Sequence, residues 1–549
     1  MHRRWLQTVT GLAGPALVAL TVLGLCLTAA SARAADGEQG FKSLFDGKTL
    51  TGWEGNPDNW RVEDGVITGD TSGHPIKPNS FLIWRQGKVD DFELRVDYRF
   101  QSEWGNSGVQ FRSFEVPDAK WAVGGYQADC ETGASHSGGL YGERYRGILA
   151  RRGQKVVIGD DHKPKIVELF GDVAKMQEFV KPTNEWNSYR IVARGYHITQ
   201  ELNGHLMIDL TDQDSAVRRR SGIIALQLHA GKPMRVQFRN ILLKRLKMED
   251  TKKVVFIAGR PSHGYAQHEH HAGCLLLARL LNKNVPGLFA TVYRILPGKG
   301  PEANWPQDPT ALDNADTVVF FCDGGKNHPA IGHLDELDKL TKKGVGVACI
   351  HYAVEVPKGQ PGDAFLNWIG GYFETFWSTN PNWTAVYKGF PDHPISRGVK
   401  PFTIEDEWYY HMRFPDETKG VTPILSAIPP ESTRQGKDGP YSGNPAIRAR
   451  KGMAEVTAWA LQRPDGSRGF GFTGAHWHWN WGNDSFRTTV LNAIVWVAGL
   501  EVPPGGVKSK TPTLEELMVN LDSKPSRGFD KAKIQKMLDS WKPQQTAAK

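Results

Sequence analysis

Between residues 41 and 247, apolar and polar positions alternate with the period of two that is typical of half-buried β-strands. Residues 92–100 read FELRVDYRF, with an apolar side chain at every second position. Two further strand-like runs flank Asn203 and Gly204, a pair that accepts positive φ angles in a type I′ hairpin turn. No long amphipathic pattern interrupts this region. The pattern therefore predicts an all-β sandwich over residues 36–247.

The pattern changes after residue 250, where continuous apolar runs replace alternation. These runs lie at 254–258, 317–321 and 345–348, and helical patterns at 274–281 and 331–340 separate them. Strands that are apolar on both faces are typical of parallel sheets covered by helices on both sides. Residues 252–500 are therefore predicted to form a doubly wound α/β domain, with ligands at the carboxyl ends of its strands.

The last helix of that domain is predicted over 486–497. Residues 501–549 are predicted to be a linker followed by a tail with two short helical stretches, 514–521 and 531–541. This tail either packs back on a domain or contacts a partner.

Residues 1–34 have the pattern of an export signal. Arg3 and Arg4 precede an apolar run, and Ala32-Arg33-Ala34 offers small residues for cleavage. We therefore expect an exported protein, periplasmic or secreted, with no retained membrane span. Leu25 before Cys26 is too bulky for a lipoprotein cleavage site, which disfavours a lipid anchor.

Charge and cysteine content narrow the function classes. Lys and Arg total 67 against 59 Asp and Glu, a net charge of +8, and removal of the leader would leave about +5. No basic block interleaved with aromatic residues occurs, so nucleic acid is not an expected partner. The cysteines beyond the leader show no CxxC spacing and are expected to be core thiols: Cys130, Cys274, Cys322 and Cys349.

The first half contains several diagnostic strings, among them Leu44-Phe45-Asp46-Gly47, residues 106–109 (NSGV), residues 226–229 (LQLH) and residues 238–241 (FRNI). In this order they resemble the 3-keto-disaccharide hydrolase domain family. The resemblance spans about residues 40–246 and implies a concanavalin-like jelly roll that handles sugars. The family often has a Glu shortly before the Gln of a strand that ends in Asp, but here residues 124–129 read GGYQAD. This chain lacks that Glu, so the resemblance implies no catalytic role at this position.

Amides, carboxylates and guanidinium groups hydrogen-bond sugar hydroxyls, and an indole can stack on a sugar ring. The substrate-binding candidates of this half are Trp104, Asn106, Arg112, Gln127, Asp129, Tyr141 and His229. The alternative is structural: residues 106–108 form a tight turn, and Arg112 belongs to an ion pair. A catalytic role for this half also stays open.

The second half contains another ordered set of strings, among them residues 259–264 (GRPSHG), 349–353 (CIHYA), 369–373 (IGGYF) and 474–477 (GAHW). With these strings, the region from 253 to 499 resembles the ThuA-like (trehalose utilisation) family. The resemblance implies a class I glutamine amidotransferase fold. In that fold a nucleophilic Cys stands at a strand-to-helix turn, but here His351 takes that position and Cys349 falls inside the strand. Glutaminase activity is therefore not expected.

Histidines follow several predicted strands of this half, where side chains converge in a parallel sheet. The catalytic candidates are His263, Asp323, His351, Tyr352, Glu407 and His476. A divalent metal held by His268, His351 and His476 is a second interpretation, although neither histidine-rich string has HExxH spacing. The third is that one or two histidines act and the others are exposed to solvent.

Together the two resemblances predict an enzyme that hydrolyses 3-keto glycosides or 3-keto-disaccharides such as oxidised trehalose, through elimination and hydration. Its expected partner is a small carbohydrate. The rival hypothesis is a noncatalytic, sugar-binding β-sandwich fused to a ThuA-like sugar-processing domain. A noncatalytic scaffold for envelope polysaccharide is a third. Composition and motifs leave the oligomeric state open.

Overall fold

A computed structural model of the protein describes residues 40–296, 298, 301–415 and 420–542. The predicted export signal at 1–34 lies outside these residues. Within them, no helix is long and apolar enough to cross a membrane.

Strands build the N-terminal half. They are β1 (Lys42–Ser43), β2 (Trp53–Glu54), β3 (Trp60–Glu63), β4 (Val66–Asp70), β5 (Ser80–Trp84), β6 (Phe92–Phe100), β7 (Asn106–Glu115), β8 (Val123–Glu131), β9 (Leu140–Glu143), β10 (Gly147–Ala150), β11 (Gln154–Ile158), β12 (Pro164–Leu169), β13 (Asn187–Arg194), β14 (His197–Leu202), β15 (His205–Asp212), β16 (Ile223–Leu228) and β17 (Arg235–Arg245). One sheet has the order β12-β11-β15-β14-β13-β6-β17-β4-β3 with β1 beside β17, and the other β10-β9-β8-β7-β16-β5-β2. These strands pair in antiparallel fashion, except for the parallel pair β11 and β15. Apolar residues of both sheets share one buried core. The predicted all-β sandwich is confirmed.

Local patterns account for the register of these strands. In β6 the side chains from Val96 to Phe100 alternate between buried and partly exposed, as the period of two requires. Asn203 and Gly204 have φ angles of 51° and 83° between β14 and β15, which confirms the predicted hairpin turn.

The C-terminal half alternates strands and helices. Its elements are β18 (Lys252–Ala258), α1 (His270–Asn284), β19 (Leu288–Arg294), β20 (Thr317–Phe321), α2 (Leu334–Lys342), β21 (Gly346–Ile350), α3 (Gln360–Ile369), β22 (Asn382–Tyr387), β23 (Phe402–Glu407), β24 (Val421–Ala427), α4 (Pro445–Arg448), β25 (Glu455–Gln462), β26 (Arg468–Phe472), α5 (Asp484–Val497), α6 (Leu514–Leu517) and α7 (Lys531–Ser540). The sheet order is β19-β18-β20-β21-β26-β25-β24, and β22 and β23 form a separate hairpin.

This sheet is mixed rather than wholly parallel. Strands β19, β18, β20, β21 and β26 run parallel, but β25 and β24 add to the edge in antiparallel fashion. Alternate residues of β18 face opposite sides: Val254 and Phe256 pack with α1 and α5, whereas Val255 and Ile257 pack with α2 and α3. Helices therefore cover both faces, and the predicted strand ends share one edge.

The chain after α5 packs back on this half. Val502, Leu514, Leu517 and Leu538 are buried in the same core as α1 and α5. Phe529 packs edge-on against Tyr265, with 4.9 Å between ring centroids. The tail was expected either to pack back on a domain or to contact a partner. In the described residues it packs on the C-terminal half.

A buried ion network joins the two halves. The Asp90 carboxylate, from the sandwich, lies 2.6 Å from Lys253 Nζ at the start of β18. Arg245 of β17 donates to Asp308 at 2.7 Å, and Asn314 donates to Asp90 at 3.0 Å. These side chains are almost fully buried, so each charge depends on a partner from the other half.

We expect Asp90→Ala to lower the free energy of unfolding by about 3–5 kcal/mol, because Lys253 would lose the carboxylate that compensates its buried charge. Urea denaturation at pH 7 measures this loss. The control is Glu115→Gln, which removes an exposed ion pair with Arg85 and should change stability by no more than about 1 kcal/mol. Equal stability of the two variants would contradict the structural role of the network.

Candidate functional site

Three histidines that follow different strands meet at the carboxyl edge of the C-terminal sheet. His268 follows β18, His351 follows β21 directly, and His476 follows β26. His268 Nε2 lies 3.0 Å from His351 Nε2 and 3.0 Å from His476 Nδ1. All three rings are buried. The structure thus brings together the three residues predicted as metal ligands.

Glu407, at the end of β23, adds a carboxylate to this group. Its Oε2 lies 3.1 Å from His476 Nδ1 and 3.5 Å from His351 Nε2. Burial raises the pKa of Glu407, but hydrogen bonds from His351 and His476 outweigh burial and hold it well below its ordinary value. We call His268, His351, Glu407 and His476 the histidine cluster.

The donor atoms of the histidine cluster fit a single divalent cation. All four lie within 4.8 Å of one another, and atoms bound about 2.1 Å from one ion lie about 3.0–3.4 Å apart. His351 Nδ1 donates to the Thr473 carbonyl at 2.8 Å, which leaves Nε2 facing His268 Nε2 at 3.0 Å and the Glu407 carboxylate at 3.5 Å. Nε2 is therefore the ring atom that would bind a cation among these groups, in place of the proton that it otherwise donates to Glu407.

The turns that carry these histidines are strained. His263, His268 and His351 have φ angles of 68°, 48° and 57°, which non-glycine residues adopt at a cost of about 1–3 kcal/mol each. Tertiary contacts hold them there: the His268 amide donates to the His476 carbonyl at 3.1 Å. Strain of this kind concentrates at functional sites.

His351 occupies the turn predicted for it, where β21 ends and a 3₁₀ helix, His351–Val354, begins. Cys349 lies inside β21 and is completely buried, and burial raises the pKa of its thiol far above the ordinary value. The thiol faces the core, so the reactive position at the strand end belongs to an imidazole.

The other predicted residues of this half also lie at the cluster. Asp323 Oδ1 is 3.5 Å from His268 Nδ1, and its side chain is 30% exposed. The exposed His263 ring is 3.8 Å from the His268 ring, centroid to centroid, and the Tyr352 ring is 5.7 Å from it. The site therefore opens to solvent on the side of Asp323 and His263.

Sequence reasoning missed Glu355 and its neighbours. Glu355 is 2% exposed and accepts a hydrogen bond of 3.2 Å from the Tyr441 hydroxyl. Burial, together with the charge of Glu407, raises the pKa of Glu355 to about 7. Tyr409 was also missed, and its hydroxyl lies 3.4 Å from His351 Nε2. The sequence signal that could have identified Glu355 is its own carboxylate, which comes about one helical turn after His351.

A second polar site opens in the sandwich, in a cavity of about 480 Å³. Five of the predicted binding residues line it: Asn106, Gln127, Asp129, Tyr141 and His229. Sequence reasoning missed others that line it, among them Asn79, Glu143 and Gln227. We call this cavity the sandwich pocket.

Amides connect the two carboxyl groups of the sandwich pocket. Gln127 Nε2 donates to Asp129 at 2.7 Å, while Gln227 and Asn79 donate to Glu143 at 3.4 Å and 3.3 Å. Burial raises the pKa of Asp129 to about 8, and the charge of Glu143 acts in the same direction. At neutral pH the pocket therefore holds Asp129 mostly as a protonated acid.

Two predicted sugar-binding residues lie elsewhere. Arg112 is fully buried, and its guanidinium binds the Asp91 carboxylate at 2.9 Å and two backbone carbonyls. The register of β7 shifts between Phe111 and Phe114, with Arg112 at a φ of 46°. The structure thus places Arg112 in a buried ion pair, as the structural alternative expects, and outside the lining of the sandwich pocket. The Trp104 ring lies edge-on to the His229 ring, with 6.3 Å between ring centroids. Trp104 is not among the residues that line the sandwich pocket.

Comparison with known families assigns one resemblance to each half. Residues 40–244 match the family of 3-keto-alpha-glucoside-1,2-lyase-like domains, and residues 293–497 match the trehalose utilisation (ThuA) family. Both predicted resemblances are confirmed. The ThuA match begins after α1, so it does not include His263 or His268.

Individual relatives are distant. A 3-keto-disaccharide hydrolase of Bacteroides thetaiotaomicron is 25% identical over 162 residues, which are 28% of this chain and 52% of the relative. The chain thus spans about half the length of that curated relative. A ThuA-like protein of Bacteroides uniformis is 15% identical, with 46% of this chain and 94% of that chain covered and a TM-score of 0.31. The carbohydrate-binding module CBM66 of Bacillus subtilis is also 15% identical, with 35% and 95% covered and a TM-score of 0.24.

Proposed function

We propose that this protein is exported and that it cleaves the glycosidic bond of 3-keto glycosides by elimination and then adds water, with the chemistry at the histidine cluster. The observation that carries the proposal is the set of three buried imidazoles and one partly buried carboxylate, beside a carboxyl group whose pKa is near 7. In this proposal the C-terminal half uses an amidotransferase-like scaffold and the sandwich is a concanavalin-like jelly roll.

The substrate chemistry needs three groups. A carbonyl at C3 acidifies the hydrogen at C2, so a base can remove that proton and negative charge develops on the keto oxygen. The glycosidic oxygen at C1 then leaves and needs a proton. Water adds across the new double bond and completes a net hydrolysis. A base with a pKa near the working pH, a positive charge and an acid are therefore required.

Residues at the site fit these roles. Glu355 titrates near neutral pH and is the proposed base, with Tyr441 donating to its Oε1. Tyr352 keeps its proton because burial, together with the charge of Glu355, raises its pKa far above neutral, so its hydroxyl can donate to the leaving oxygen. His263 is the exposed alternative for the same proton transfer.

The histidine cluster would hold the metal that this chemistry calls for. A divalent ion bound there would supply positive charge where the keto oxygen becomes negative. His351 is oriented for this by the Thr473 carbonyl, and Ser262, 3.1 Å from His268 Nδ1, helps to orient His268.

The sandwich pocket has the character of a sugar-binding site. Its amides and carboxyl groups present donors and acceptors at fixed positions, and its volume of about 480 Å³ accommodates a small carbohydrate. In the proposal it binds the glycoside or its product while the second half performs the chemistry.

A second candidate is that the sandwich pocket itself performs the elimination. One observation favours it: Asp129 is an acid with a pKa of about 8, and the neighbouring Glu143 carboxylate accepts hydrogen bonds from two amides. Carboxyl groups with different environments in one pocket form an acid and base pair. The remaining alternative is a sugar-binding sandwich without chemistry.

Turnover of 3-ketotrehalose and of an aryl 3-ketoglucoside by the full chain tests these candidates. Point variants are preferable to separated halves, because separation would leave the buried Lys253 without Asp90. If His351→Gln abolishes turnover and Asp129→Asn keeps it, the chemistry lies at the histidine cluster. The opposite result assigns it to the sandwich pocket. Sugar binding without turnover in the wild type would support a binding module.

A pH dependence of sugar affinity is expected at the sandwich pocket. Protonated Asp129 donates a hydrogen bond, and loss of this proton above pH 8 should weaken binding of a 3-keto glycoside about fivefold. Asp129→Asn keeps a donor at every pH, so its affinity should stay constant from pH 6 to pH 9. Calorimetric titration in full chains that carry His351→Gln measures both. An unchanged wild-type affinity across pH 8 would contradict this role of Asp129.

A further inference from the structure

His270 has a buried nitrogen for which the histidine cluster has no use. Its ring is fully buried, and Nδ1 lies 2.9 Å from the Arg260 carbonyl, so Nδ1 carries the proton. Nε2 has no hydrogen-bond partner among the described residues. It faces Asp323 Oδ1 at 3.9 Å, which is too far for a hydrogen bond. A lone pair and a carboxylate thus face each other across a gap.

Further donors surround the same carboxylate. Nitrogen atoms of His263 and His268 and an oxygen of Asp323 lie within 4.8 Å of one another. His268 Nδ1, on the opposite edge of the ring from the histidine cluster, is 3.5 Å from Asp323 Oδ1. Two imidazoles and one carboxylate therefore lie together here, His270 Nε2 approaches the same carboxylate at 3.9 Å, and His268 belongs to both donor groups.

We propose that a second divalent cation binds between Asp323 and His270, with His263 and His268 completing its ligands. Burial of an unpaired imidazole nitrogen costs free energy unless it finds a partner, and a cation satisfies His270 Nε2 and Asp323 together. His268 bridges the two cations, so binding of the second one displaces a proton from His268 Nδ1 to solvent.

The two cation sites differ in access. The histidine cluster is enclosed, whereas Asp323 is 30% exposed and His263 is exposed at the surface. The second cation is therefore bound more weakly and exchanges faster. Its open side can take small oxygen donors, such as a keto oxygen with its adjacent hydroxyl. That choice of ligand rests on the proposed function, but the cation itself does not.

Metal stoichiometry of the full chain tests the proposal. The protein is stripped with a chelator and titrated with Co²⁺, and bound metal is counted by equilibrium dialysis and elemental analysis. The expected result is two equivalents, one tight and one at least tenfold weaker. Calorimetry in buffers of different ionisation enthalpy should show about one extra proton released with the second equivalent.

Variants distinguish the two sites. Asp323→Asn and His270→Asn should each retain the tight equivalent and lose the weaker one. The matched control Asp335→Asn changes an exposed carboxylate at the start of α2 and should bind two equivalents. A maximum of one equivalent in the wild type, or two in Asp323→Asn, would overturn the proposal. Since Asp323 is partly exposed, its variant remains informative if His270→Asn does not fold. Turnover plays no part in this test, so its failure is separate from failure of the proposed function.

Discussion

His351→Gln is expected to remove the tightly bound divalent metal and to lower kcat for a 3-keto glycoside by at least ~10³-fold. His351 supplies one of three imidazoles of the histidine cluster and is fully buried, so the amide of Gln cannot replace it at the same distances. Loss of a Lewis acid at a developing negative charge costs several kcal/mol of transition-state stabilisation. Elemental analysis and steady-state kinetics at pH 7 measure the two effects.

The matched control is His333→Gln. His333 stacks on Trp305 with 3.8 Å between ring centroids and belongs to neither group of metal donors. This variant should keep its metal and its turnover. Chelation of the wild type should reproduce the loss seen in His351→Gln, and added metal should restore activity only in the wild type. Full activity in His351→Gln would contradict a catalytic role of the cluster.

Glu355→Gln is expected to lower kcat by about 10²–10⁴-fold, because the variant retains the volume of the side chain but cannot accept the C2 proton. In the metal-free protein the pKa of Glu355 is about 7, raised by burial and by Glu407. The base acts when ionised, so wild-type activity should rise with pH. A bound dication favours the carboxylate and moves this rise below pH 7.

Tyr441→Phe is the informative companion of this variant. The Tyr441 hydroxyl donates to Glu355 and lowers its pKa, so its removal should move the rise in activity to higher pH while the maximal rate changes little.

The pH dependence of folding stability provides a second measurement of the Glu355 pKa. The folded protein retains the Glu355 proton between its ordinary pKa of 4.5 and about 7, so folding stability falls as pH rises through this window. Glu355→Gln should remove that decrease. An unchanged pH profile in both variants would exclude Glu355 as the base.

Predicted elements agreed with the structure wherever the signal was local. The alternation in residues 92–100 gave β6 with its observed bounds, and Asn203-Gly204 marked a true hairpin turn. The histidines after the apolar runs do meet at one edge of the sheet, since parallel strands place their carboxyl ends together. His351 stands at the predicted turn, and Cys349 lies within the strand before it.

Long-range contacts decided the rest. Glu407 reaches the cluster from the separate β22–β23 hairpin, and a shift in the register of β7 accompanies the inward orientation of Arg112. The pKa values near neutral of Glu355 and Asp129 arise from burial and neighbouring carboxylates, which no local pattern encodes. Periodicity along the chain thus specified the strands and the edge of the sheet where the histidines meet. Tertiary packing alone selected the groups that face each other there, because distance and desolvation between residues far apart in sequence depend on the whole fold.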